Sequence, residues 1–278
     1  MVADVARQAL IQDTLSVLQE SLQHHLRALS RNVTTEGIHQ TRVSIRRLRV
    51  ALRAVKGHLV PSQRRPYLLA LREFASDLEQ AREADARTAL FSKLIAGNSL
   101  ARRRQASRLQ TRLSAQRAEA RQTLRRVVTK ARWKRRLAWL ERESREPLIK
   151  ASSDAPLLLI RDVLERRQRR LRRVLRHIDR KPRKLHRLRL GIKELRYLDE
   201  VFGSLLTASP DRELEGLRQL QNRLGEFHDN WRLKKWLRAQ SDCHSIAANL
   251  RVIVNTRQAR LLKMIARLSQ DMRNQFNY

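Results

Sequence analysis

The sequence predicts an all-α protein built as two four-helix halves related by an internal repeat. Three observations predict it. Glycine and proline number only seven and six in 278 residues, and nine of these thirteen stand where a helix would break. Between them apolar residues recur three and four apart, the period of a helix with one buried face, and alternating runs of strand type are absent. One basic helix motif also occurs twice, at an offset of 147 residues.

The breaks fall at Gly57 with Pro61 and Pro66, Gly97, Pro147 with Pro156, Pro182, and Gly203 with Pro210. They bound eight helices, predicted at 2–30, 35–57, 63–97, 99–145, 155–180, 183–205, 210–240 and 242–276. Ser209 before Pro210 reads as an N-cap followed by a first-turn proline, and Asp154 and Asp242 are similar start signals. The expected organisation is one domain over 1–278, with halves at about 1–147 and 148–278 related by a pseudo-two-fold axis.

Charge narrows the partner. Lys and Arg total 61 against 27 Asp and Glu, a formal charge of +34. Solubility alone asks for a magnitude of about 2–8 in a small domain. So large a surplus repels itself unless an anion neutralises part of it. Residues 101–200 hold 33 of the cations and 11 of the acids, a net of +22. Aromatic residues are only 4%, which disfavours recognition of bases by stacking but not of a bare phosphate chain. The single Cys243 excludes an internal disulfide. No apolar run approaches the roughly 20 residues of a membrane span, and none resembles a signal peptide, so a soluble cytoplasmic protein is expected.

The repeat places the basic residues. In the second helix stands Ile38-His-Gln-Thr-Arg-Val-Ser-Ile-Arg-Arg-Leu-Arg49, and in the sixth Leu185-His-Arg-Leu-Arg-Leu-Gly-Ile-Lys-Glu-Leu-Arg196. Setting His39 on His186 aligns Arg42 with Arg189, Arg46 with Lys193 and Arg49 with Arg196. His39, Arg42, Arg46, Arg49 and Arg53 form one stripe along a helix, and Ile38, Ile45, Leu48, Leu52 and Val55 a second, about 100° away. The basic stripe therefore borders the core instead of lying opposite it. Two such stripes facing each other would make a deep positive groove, with Arg46 and Lys193 expected across it.

These motifs, with Arg196-Tyr197 and Leu224-Gly-Glu-Phe-His-Asp229 after them, resemble the CHAD family, the conserved histidine α-helical domain. The resemblance covers nearly the whole chain. It implies two four-helix bundles around a basic groove, binding of long-chain inorganic polyphosphate, and association with polyphosphate granules. By resemblance the binding positions are His39, Arg42, Arg46, Arg49, His186, Arg189, Lys193 and Arg196, with Arg47, Arg53 and Tyr197 as additions. The family's Arg-Asp-x-Asp ending of the third helix appears here as Arg82-Glu83-Ala84-Asp85, and in the second half as His228-Asp229-Asn230. These acids are expected to orient neighbouring arginines.

Other chemistry finds less support. His39 and His186 stand among arginines that would repel a cation, so no metal and no cofactor is expected. There is no P-loop and no glycine-rich cradle for phosphoryl transfer. Glu141 and Glu143 resemble the Glu-x-Glu-x-Lys signature of triphosphate-tunnel enzymes, but that signature needs a strand and this context is helical. Cys243 and His244 are adjacent and would point about 100° apart on a helix, unsuited to a dyad. A non-catalytic protein is expected. The stripes Arg104, Arg108, Arg112, then Arg117, Arg121, Arg125, and Arg166, Arg169, Arg173, Arg176, Arg180 are read as solvated surface that attracts anions at long range. The four Trp are read as packing residues. The leading alternative partner is nucleic acid, bound nonspecifically through its phosphates; nothing points to a particular oligomeric state.

Overall fold

The structure, a computed structural model, describes residues 2–97, 99–150, 156–176, 181–205 and 211–275. They form ten α-helices: α1 (Val2–Arg31), α2 (Thr35–Ala54), α3 (Pro61–Asp77), α4 (Glu79–Ala96), α5 (Leu100–Thr129), α6 (Ala131–Glu143), α7 (Pro156–Arg176), α8 (Pro182–Phe202), α9 (Asp211–Arg238) and α10 (His244–Gln275), with a 3-10 turn at Gly203–Leu205. Among the described residues the one extended pairing is an isolated bridge between Leu59 and Ile149. No helix among them is long and apolar enough to cross a membrane.

Two predicted helices are each divided. The predicted 63–97 helix shifts register at Leu78, whose N–H reaches both Phe74 O and Ser76 O, and the ladder resumes with Arg82 N–H donating to Leu78 O at 3.1 Å. Pro66, read as a breaker, lies inside α3. The predicted 99–145 helix breaks outright at Lys130, which is extended (φ −65°, ψ 145°). No glycine or proline marks either place. The β-branched Val127, Val128 and Thr129 weaken the end of α5, and tertiary anchors on α6 decide the rest. Trp133 packs its ring edge-on to Phe74 at 4.8 Å and donates to Ser30 Oγ at 2.9 Å. The predicted start signals at Ser209 and Asp154 lie outside the described residues.

The described residues fall into two compact units. The first holds residues 1–82, 121–168 and 194–209, the second 83–120, 169–193 and 210–278. In the first, α1 packs along α2, α2 on α3, and α6 against α1 and α3. Its core takes Ile11, Leu15, Leu22, Leu26 and Leu29 of α1, Ile38, Ile45, Leu48 and Leu52 of α2, and Tyr67, Leu71 and Phe74 of α3. Tyr67 is fully buried and its hydroxyl is used twice: it accepts from Gln19 Nε2 at 2.6 Å and lies 2.7 Å from Ser144 Oγ. The segment after α6 is tied down by Lys150 N–H to His58 O and Val60 N–H to Leu148 O, both 2.9 Å. In the second unit α9 and α10 pack along each other. Leu233 and Leu237 of α9 and Leu250 and Val254 of α10 join Phe91 and Leu94 of α4 and Leu109 and Leu113 of α5. Burial of this apolar surface is the main stabilising term in both units.

Candidate anion-binding site

The site of the first unit begins with a well-started helix. Thr34 caps α2, accepting from the Gly37 N–H at 2.9 Å in extended backbone conformation. That capping sets where α2 begins, and α2 carries the basic stripe. Ile38, Ile45, Leu48, Leu52 and Val55 are buried. Arg42, Arg46 and Arg49, on the adjoining stripe, are half-buried, and His39 and Arg53 at its ends are exposed.

Two of the half-buried arginines, Arg42 and Arg46, are held by neighbours. Arg42 Nη1 pairs with Glu79 Oε2 at 2.6 Å and reaches Ala75 O at 3.4 Å. Arg46 Nη1 donates to the Tyr197 hydroxyl at 2.7 Å, and its guanidinium lies over the Tyr197 ring, 5.3 Å from the centroid. Arg196 lies over the same ring at 5.2 Å and pairs with Glu200 at 3.1 Å. Glu200 also meets Arg47 at 3.4 Å. Tyr197 is itself only 3% exposed, so it serves as a post between two cations. The unit thus brings together Arg46 and Arg47 of the first motif with Arg196 and Tyr197 of the second.

The cluster is over-supplied with positive charge. Burial lowers the pKa of Arg49, and Arg53, Arg72 and Arg46 lower it further. Burial also lowers that of Arg42; Glu79 works against it, and Arg82 and Arg46 add to it. Both groups remain charged at neutral pH, because arginine does not deprotonate in proteins. Sequence reasoning missed Arg72, Arg82 and the two organising acids. Spacing along α2 could not reveal residues that reach the stripe from α3, α4 and α8.

In the second unit lie His186, Arg189 and Lys193. Arg189 is buried and the other two are half-buried. The His186 ring stacks on His228 at 4.8 Å, 28° from parallel, and its Nδ1 is buried without a hydrogen-bond partner. Burial lowers the pKa of His186 first, then His228, Arg189, Arg232 and Lys193. His228 Nδ1 lies 3.6 Å from Asp229. Of the acids expected to orient arginines, Asp85 takes Arg117 at 2.6 Å and Glu83 pairs with Arg232, whereas Asp229 meets His228. Among the described residues no group of three His, Cys, Asp or Glu could hold a metal ion.

The CHAD domain model matches residues 15–238. The chain belongs to the CHAD domain family. Two solved structures share the fold. PptA from Streptomyces chartreusis superposes with a TM-score of 0.73 at 15% identity, over 95% of this chain and 99% of that one. The CHAD domain from the plant Ricinus communis superposes with a TM-score of 0.72 at 22% identity, over 96% of this chain and 93% of that one. Comparison with curated proteins gives no match. Within this CHAD chain the remaining basic stripes divide in use. Arg112 is taken up by Asp242 and by Gln240 Oε1, the latter at 2.8 Å, and Arg121 by Thr35, so these arginines join elements. Arg104, Arg108 and Arg125 are exposed. The Arg176 side chain and Arg180 lie outside the described residues. Of the tryptophans, Trp133 is buried, whereas Trp231 is 41% exposed and does not behave as a packing residue.

Proposed function

We propose that this CHAD protein binds long-chain inorganic polyphosphate, without turning it over, through the arginine cluster of the first unit. One observation carries the reading: Arg42, Arg46 and Arg49 are half-buried along one helix, and the charges acting on Arg49 are those of Arg46, Arg53 and Arg72. Cations held this close repel one another, and a bound polyanion turns that repulsion into attraction. A phosphate chain carries roughly one charge per unit and presents oxygens to successive guanidinium forks. It has no bases and needs no aromatic platform. His39 and Arg53 at the ends of the stripe, and His186, Arg189 and Lys193 in the second unit, offer the same chemistry and belong to the proposed binding set. Family membership supports the reading, and granule association would follow from it.

The test is a titration at near-physiological salt with long-chain polyphosphate and with duplex DNA, on the wild-type protein and two charge reversals. Each charge-assisted contact contributes about 1.5–3 kcal/mol, so Arg46→Glu with Arg49→Glu is expected to weaken polyphosphate binding by roughly 100-fold or more. Arg104→Glu with Arg125→Glu, on exposed side chains, is expected to cost less than about tenfold. Equal losses in the two variants, or displacement of polyphosphate by DNA at equal phosphate, would refute the site and leave general electrostatics. Phosphate release during the titration would refute binding without turnover.

A further inference from the structure

The second unit sets two imidazoles face to face among fixed charges. His186 of α8 and His228 of α9 stack at 4.8 Å, 28° from parallel, and both residues are half-buried. Each ring buries its Nδ1 without a hydrogen-bond partner, so Nε2 is the nitrogen left open to solvent. On α8 the pair meets Arg189 and Lys193, and on α9 it meets Arg232 and Asp229. From α4 come Glu83, which is engaged by Arg232, and Arg87, which lies near both. The charges acting on His186 are those of His228, Arg189, Arg232 and Lys193, and each of them opposes a proton there. Asp229 lies 3.6 Å from His228 Nδ1, beyond good hydrogen-bond distance.

Of these groups only the two imidazoles change charge readily near neutral pH. Two stacked imidazolium rings repel each other, so the pair titrates as a unit and takes a single proton first. Without a ligand the surrounding cations keep that proton off. A polyanion laid along Arg189, Lys193 and Arg232 reverses the sign of the local field. An imidazolium N–H then adds a charge-assisted bond to a phosphate oxygen. We propose that the stacked pair His186–His228 is a proton-linked phosphate contact: when polyphosphate binds, the pair takes one proton from solvent, so the second unit holds the chain more tightly as pH falls from 8 to 6. The linkage adds His228 to the binding set. It also sets the second unit apart from the arginine cluster of the first, whose guanidiniums keep their charge throughout that range. It rests on polyphosphate being the ligand.

The test follows the imidazole resonances of the full chain, labelled with 15N-histidine, from pH 5.5 to 8.5 with and without saturating long-chain polyphosphate. The single variants His186→Gln and His228→Gln assign the two rings; if a variant fails to fold, the cross-relaxation between stacked rings assigns them instead. The ligand is expected to raise the midpoint of the pair by about one pH unit or more, a coupling of roughly tenfold. Calorimetry at pH 7 in two buffers of different ionisation enthalpy is expected to show net proton uptake, reduced when both histidines are replaced by glutamine. Polyphosphate that binds while the midpoint stays or drops overturns the proton linkage and leaves the polyphosphate reading standing. Polyphosphate that binds at neither pH 6 nor pH 8 overturns that reading and the linkage with it.

Discussion

Replacing Tyr197 with Phe isolates one contact in the arginine cluster. The change removes the hydroxyl that accepts from Arg46 at 2.7 Å and keeps the ring between Arg46 and Arg196. A hydrogen bond to a charged group contributes about 1.5–3 kcal/mol. Arg46 is half-buried, so water replaces part of that interaction, and a loss of about 1 kcal/mol is expected. For a chain of this size that lowers Tm by about 2 °C. Because the hydroxyl also sets the direction of the guanidinium, polyphosphate Kd should rise by roughly fivefold, the equivalent of about 1 kcal/mol. Thermal melting and a polyphosphate titration on the same preparations read both effects. Tyr197→Leu removes the ring as well and should cost more on each scale, since two cation–π contacts worth about 0.5–1 kcal/mol apiece go with it. A Tyr197→Phe protein that melts and binds like the wild type would refute the argument that this phenol positions Arg46.

Two further outcomes follow from other parts of the structure. Arg136 is only 8% exposed and pairs with Glu73 at 2.8 Å and Asp77 at 2.7 Å, over the Phe74 ring. Removing one partner of a buried pair costs about 3–5 kcal/mol; Glu73 keeps Arg132 and both acids are partly exposed, so Arg136→Met should destabilise by about 2 kcal/mol in denaturant unfolding. The pKa values of His186 and His25 are lowered from 6.5, mainly by burial, so as pH falls through about 6.5 the unfolded chain takes up protons before the folded one. Stability without ligand should therefore fall as pH drops from 7.5 to 5.5, and His186→Gln should flatten part of that slope in melts across the range.

How much of this was legible in the chain can be judged residue by residue. The α2 stripe was legible because both of its determinants are local. Helical spacing puts Arg42, Arg46 and Arg49 on one line, and the apolar residues one position out of phase decide which side is buried. The scarcity of glycine and proline made the helical class legible for the same reason. The division of the long helices at Leu78 and Lys130 was not legible, because no local breaker stands there. The Lys130 break goes with what Trp133 and Arg136 reach on α1 and α3, and such contacts are set by packing. The partners within the site were hidden as well: Tyr197 stands 151 positions from Arg46 and Glu79 stands 37 from Arg42. Sequence by itself determined an all-α chain with a surplus of arginine at helical intervals. Only the tertiary structure decided which arginines are half-buried, which are neutralised by an acid and which press on one another. The reason is physical: periodicity acts through the geometry of a single helix, whereas desolvation and charge coupling depend on what the rest of the chain places beside it.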